Sequence, residues 1–154
     1  MKPMLRYAFW LASLIIIAHS ASAVGEVSLV ASKCEMELNR TTKFLGTVVF
    51  HERSKTLDDT MKLHLMEIGN IITQNNVSPP ATIVLVGYTD GNGTSTANRA
   101  LSLRRAKFVQ KRLKQSVAAG LTIEVAACGD RHPVVPNVIR RPEPNNNRVD
   151  VRIR

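Results

Sequence analysis

Hydrophobic and polar positions alternate along the chain in segments of different period. The first segment, residues 7–18 (YAFWLASLIIIA), is an almost unbroken apolar run behind Lys2 and Arg6. It is followed by His19-Ser20-Ala21-Ser22-Ala23, which ends in a small-x-small step. Basic, apolar and small-residue regions in that order predict a secretory signal peptide over 1–23, cleaved after Ala23. A membrane anchor is the other reading, but a span needs about 20 apolar residues and this run is shorter. Residues 24–45 read as a lead-in, with Val27–Val30 as a short strand. Gly46–Phe50 (GTVVF) is β-branched and apolar and predicts a buried strand.

Thr56 is expected to open a helix, with an acid three residues on. Leu57, Met61, Leu65, Ile68 and Ile72 recur at helical spacing as its core stripe. Asn75-Asn76 and Pro79-Pro80 stop it. Ala81–Tyr88 (ATIVLVGY) is a continuous apolar run, fitting a strand that is central or covered on both faces. A polar loop over 89–96 leads to a second helix at about 97–118, stopped by Gly120. Leu121, Ile123 and Val125 then alternate with polar residues as a strand. The proline-rich stretch 128–147 reads as a loop. The last strand, 148–154, sets Val149, Val151 and Ile153 against an outward Arg148, Asp150 and Arg152. The order strand–helix–strand–helix–strand–strand predicts an α/β two-layer sandwich, a mixed βαβαββ sheet with helices on one face.

Length and composition narrow the picture. At 154 residues, 44% hydrophobic and 21% charged, the chain has room for one globular domain. Its formal charge is +9; without residues 1–23 it has 19 Lys+Arg against 12 Asp+Glu, or +7. For an exported protein that excess points away from nucleic acid and towards an anionic cell-wall or membrane surface, or merely serves solubility. Arg104, Lys107, Lys111, Arg112 and Lys114 read as a solvated helix face, with a second binding surface as the alternative. Cys34 and Cys128 are a candidate disulfide in an oxidising compartment, with two buried thiols as the other reading.

The chemistry concentrates at residues 87–109 (GYTDGNGTSTANRALSLRRAKFV). Asp90 heads a glycine-containing loop just past a buried strand. Asn98, Leu101, Ser102 and Arg105 fall at i, i+3, i+4 and i+7 on one helix face beside that loop. One carboxylate and one guanidinium bordering a pocket suit a zwitterionic ligand. A salt bridge tying loop to helix explains the same two residues. Scattered His51, His64 and His132 offer no metal site, and no paired carboxylates suggest a hydrolase, so no catalytic residue, metal or cofactor is expected.

The same residues carry a resemblance. Gly87, Thr89, Asp90, Gly93, Asn98, Leu101, Ser102, Arg105, Ala106 and Val109 fill every fixed place of G-x-T-D-x-x-G, four residues, N-x-x-L-S-x-x-R-A-x-x-V. That pattern is the signature of the OmpA-like C-terminal, peptidoglycan-binding domain family, and the resemblance runs from about Gly46 to the C-terminus. It implies noncovalent binding of peptidoglycan through the diaminopimelate of the stem peptide. Asp90 and Arg105 match the gripping positions, and Thr89, Asn98 and Leu101 match places around them. Arg148 matches the second Arg of a late N-R-R motif. The chain departs from the family at His51, Thr56, Asn147 (the first Arg of N-R-R) and Ala127-Cys128-Gly129. The expected domains are 1–23 signal, 24–45 lead-in and 46–154 wall-binding. The expected location is the periplasm, wall-associated or peripheral to the outer membrane, without a membrane span after cleavage. A subunit of an envelope-spanning secretion, conjugation or motility complex is the alternative.

Overall fold

The computed structural model describes Cys34 and residues 42–137 and 141–154. The expected signal peptide, its cleavage point and the expected Val27–Val30 strand lie outside these residues. The elements are β1 (Lys43–Val49), α1 (Asp59–Gln74), β2 (Thr82–Tyr88), α2 (Ser95–Leu113), β3 (Thr122–Gly129) and β4 (Arg148–Ile153), with a 3-10 turn at Pro144–Asn146. The strands form one mixed sheet in the order β1-β4-β2-β3. β4 runs antiparallel to both β1 and β2, while β2 and β3 are parallel, as the α2 crossover requires. Among the described residues, no helix is long and apolar enough to cross a membrane.

The helices share one face of the sheet. Leu65, Ile68 and Ile72 of α1 and Ala106, Val109 and Leu113 of α2 pack on Val48, Ile83, Leu85, Ile123, Val149 and Val151. The β2 run is apolar throughout because both its faces are buried. Ile83 and Leu85 face the helices, and Val84, Val86 and Tyr88 join Cys34, Ala126 and Cys128 on the opposite side. Cys34 and Cys128 form a disulfide with their Cα atoms 5.2 Å apart.

Several boundaries differ from expectation. β1 begins at Lys43, so the expected domain edge at Gly46 falls inside a strand. Thr56 does not open α1. Asp58 caps it, its carboxylate accepting from Met61 N at 2.8 Å, while Ser54 and Thr56 bond to each other in the preceding turn. Leu57 reaches the core from outside the helix. α2 starts two residues early, behind the Thr94 cap, and stops at Leu113; Gly120 (φ +84°) ends the turn beyond it. Cys128 and Gly129 belong to β3, not to the following loop. Arg148 and Asp150 do not form a solvated face: each is 5% exposed, with Arg148 stacked on Tyr88 and bonded to Asp150.

Candidate functional site

The site forms where the ends of β2 and β3 meet the start of α2. Gly87 sets the approach. A Cβ there would lie 2.3 Å from the Ser102 carbonyl, so only glycine lets the α2 backbone press onto β2. The chain leaves β2 through Thr89, whose N–H donates to Gly129 O at 2.8 Å. The Ser102 hydroxyl takes the Gly129 N–H at 3.1 Å and donates to Arg99 O at 2.9 Å. Ser102 is therefore a brace between α2 and β3. Gly93 (φ +126°) lets the 89–94 loop fold back against Asn98.

Arg105 is fully buried. Its guanidinium donates to Ser54 O (2.9 Å), His51 O (3.2 Å), Tyr88 O (3.4 Å) and Asn147 Oδ1 (2.7 Å), and it sits 5.2 Å from the Phe50 ring centre. All four acceptors are neutral. Burial pulls its pKa down to about 10, and the charge of nearby Asp90 partly offsets the fall. Arg105 thus stays cationic at neutral pH.

Asp90 is 6% exposed. Its N–H donates to Asn147 Oδ1 at 3.3 Å, and its carboxylate accepts from Asn92 Nδ2 at 3.3 Å. Among the described residues, no hydrogen bond joins the Asp90 carboxylate to Arg105. The loop-to-helix tie anticipated as a salt bridge is made instead through Asn147, which holds both.

Thr89 and Asn98 are buried beside the same loop. Among the described residues, Thr89 Oγ1, Asn98 Nδ2 and Asn147 Nδ2 have no hydrogen-bond partner. Burying a polar group unpaired costs about 1–3 kcal/mol; Arg99 Nε, Arg148 Nη1 and Arg152 Nε stand the same way outside this loop. Leu101 is partly buried along α2.

Arg148 does not join this group. Its guanidinium stacks on Tyr88 at 3.8 Å from the ring centre, bonds to Asp150 at 3.2 Å and donates to His132 O at 3.3 Å. It braces the other side of the sheet. His51, exposed, meets the capping Asp58 at 2.9 Å and ties the 51–54 turn to the start of α1.

Sequence reasoning passed over the backbone carbonyls of His51, Ser54 and Tyr88, which leave no trace in side-chain identity. Asn147 registered only as a departure from a motif. Its importance comes from contacts made across 42 and 57 residues of sequence.

A mixed four-stranded sheet with two helices on one face, and an Asp and a buried Arg at its end, define a class of small α/β binding domains. The OmpA family profile matches residues 49–148, and the chain belongs to that family. The peptidoglycan-binding protein ArfA of Mycobacterium tuberculosis is 33% identical over 84 residues, covering 54% of this chain and 26% of that protein. The chain therefore spans about a quarter of that curated relative. The peptidoglycan-associated lipoprotein of Burkholderia pseudomallei superposes with TM-score 0.60 at 26% identity, covering 70% of this chain and 89% of that one. The C-terminal domain of Helicobacter pylori MotB superposes with TM-score 0.61 at 23% identity, covering 71% and 85%, a likeness of fold.

Proposed function

We propose that this domain binds peptidoglycan noncovalently, gripping the zwitterionic end of diaminopimelate between Asp90 and Arg105. It acts as an exported, periplasmic anchor and not as an enzyme. The observation that carries the reading is a buried guanidinium with only neutral acceptors, beside a carboxylate and three unpaired polar groups. A ligand carboxylate gives Arg105 the charge-assisted partner it lacks, and a ligand ammonium does the same for Asp90. Two of the acceptors, His51 O and Ser54 O, belong to the 51–54 turn, so the ligand reaches the guanidinium by displacing that turn. The named relatives, a peptidoglycan-binding protein and a peptidoglycan-associated lipoprotein, support the same reading.

The test is co-sedimentation with purified sacculi, with and without free diaminopimelate as competitor. Wild type is expected to sediment and be displaced. Asp90→Asn and Arg105→Lys should each lose about 2–5 kcal/mol of binding. Circular dichroism must show both folded, because Arg105 is a buried structural donor as well as a grip. Folded variants that sediment like wild type would refute the site.

A second reading, service in an envelope-spanning complex, is favoured by one feature. Leu63 and Met66 of α1 are 66% and 57% exposed, and Met66 lines a cleft of ≈ 280 Å³ together with Lys62 and Arg112. Exposed apolar side chains with cations at their rim suit a protein contact. Leu63→Glu should then leave sacculus binding unchanged and abolish co-purification of a partner.

A further inference from the structure

We propose that Asn147 is a specificity-determining residue of the site. Through Nδ2 it gives a neutral hydrogen bond to a carboxyl-type oxygen of the stem peptide. The site thereby discriminates only weakly between a free carboxylate and its carboxamide. This inference rests on the wall-binding reading above.

Asn147 sits at the junction of every segment of the site. Its backbone carbonyl accepts from Phe50 N at 2.7 Å, holding the strand end that leads into the 51–54 turn. Its Oδ1 accepts from Arg105 Nη1 at 2.7 Å and from Asp90 N at 3.3 Å. A guanidinium and a backbone N–H can only donate, so the atom between them must be the amide oxygen. The orientation of the side chain is therefore fixed by chemistry, and Nδ2 is turned away from both. The residue is 1% exposed, and Nδ2 has no hydrogen-bond partner among the described residues. The preceding Asn146 is a useful contrast. Its Oδ1 takes Val134 N and Val135 N, and its Nδ2 gives to Val135 O and Asn137 Oδ1. Asn146 is spent on holding its loop, whereas Asn147 anchors Arg105 through Oδ1 and leaves its Nδ2 donor unused.

The character of that donor matters. Asn147 stands where the N-R-R motif has its first Arg. A second guanidinium beside Arg105 would form charge-assisted bonds and strongly favour an ionised carboxylate. A carboxamide nitrogen donates to any carbonyl oxygen, charged or not. With Asn147 the preference for the ionised ligand falls to Arg105, whose charge is already shared among four neutral acceptors.

The experiment titrates two synthetic stem tripeptides into the intact protein. One carries diaminopimelate with its side-chain carboxyl free, the other carries the same carboxyl as a carboxamide. Wild type should bind the two with affinities within about tenfold. Asn147→Arg should move the ratio towards the free acid by at least about tenfold. Asn147→Asp keeps the Oδ acceptor for Arg105 and Asp90 but replaces the donor with a negative charge. It should move the ratio in the opposite direction, towards the carboxamide. A purely structural Asn147 would change both affinities together and leave the ratio within about twofold of wild type in both folded variants; that result overturns the inference. If Asn147→Arg does not fold, the Asp variant alone decides. Wild type that binds sacculi and loses them on Asp90→Asn, yet shows no change of ratio at position 147, sinks this inference and spares the wall-binding reading. Wild type that binds neither tripeptide nor sacculi sinks both.

Discussion

The phenol of Tyr88 is sealed at the end of β2, 1% exposed, in the cluster on the side of the sheet opposite the helices. Burial raises its pKa to about 12, Asp150 adds to the rise, and Arg148 and Arg152 partly oppose it. The native state therefore holds the phenolic proton after an unfolded chain, with a pKa near 10, has begun to lose it. The stability this contributes is complete below about pH 10 and is lost as pH rises through about 12. The chain has two tyrosines, Tyr7 and Tyr88. Tyrosinate absorbance, taken as the difference between wild type and Tyr88→Phe, should show a midpoint near 12. A midpoint near 10 would mean that the ring is open to water. Asp58 has two tasks, capping α1 through one oxygen and meeting His51 through the other. Asp58→Ala should cost about 1 kcal/mol as a lost cap, measured by urea unfolding. Asp58→Asn, which still caps, should cost less.

At the scale of elements, the contact between β2 and α2 organises the site, and Gly87 makes it possible. Gly87→Ala pushes a methyl into the Ser102 carbonyl, backbone that cannot swing aside. The expected cost is about 1–3 kcal/mol, as for overpacking. Because α2 carries Arg105, sacculus binding should weaken even where the variant stays folded. Unchanged thermal stability would show that the helix can retreat freely. Most of this architecture was legible in the chain. The two helices and the last two strands announce themselves through the period of their apolar residues, the first two strands through apolar runs, and the 87–109 spacing sets Asp90 and Arg105 near one loop. The errors share a physical origin. Thr56 and Asp58 are equally good caps by composition, and only the fold decides that Ser54 engages Thr56 and leaves Asp58 to cap. Arg148 and Asp150 alternate with apolar residues and read as a wet face. They are buried because they pair with each other and because Arg148 stacks on Tyr88, a long-range contact. The Asn147 bridge stayed hidden for the same reason, since periodicity reports which face a residue occupies and not which partner waits there.

At the scale of the whole molecule, the sheet buries apolar side chains on both faces, by different means. Two amphipathic helices cover one by burial of their own stripes. On the other, Cys34 packs against Val84, Val86, Tyr88, Ala126 and Cys128, and the disulfide holds it there. The bridge joins residues 94 apart in sequence, so it removes much of the freedom of the unfolded chain. For a loop of that length the chain-entropy account gives roughly 4–5 kcal/mol, a large share of the stability of a small domain. The two cysteines lie across the sheet from α2, which carries Arg105, so the bridge should govern stability more than recognition. Cys34→Ser/Cys128→Ser should lower the urea midpoint markedly, yet at low temperature, where the domain is still folded, it should bind sacculi nearly as well as wild type. Intact-mass measurement after alkylation must first show that wild type takes up no label, as a bridged pair cannot. A double variant with an unshifted urea midpoint would show that the helix-side core suffices without the bridge. A folded double variant that no longer sediments would show that the two faces of the sheet are coupled, and that the Asp90 loop depends on the cluster beneath Tyr88.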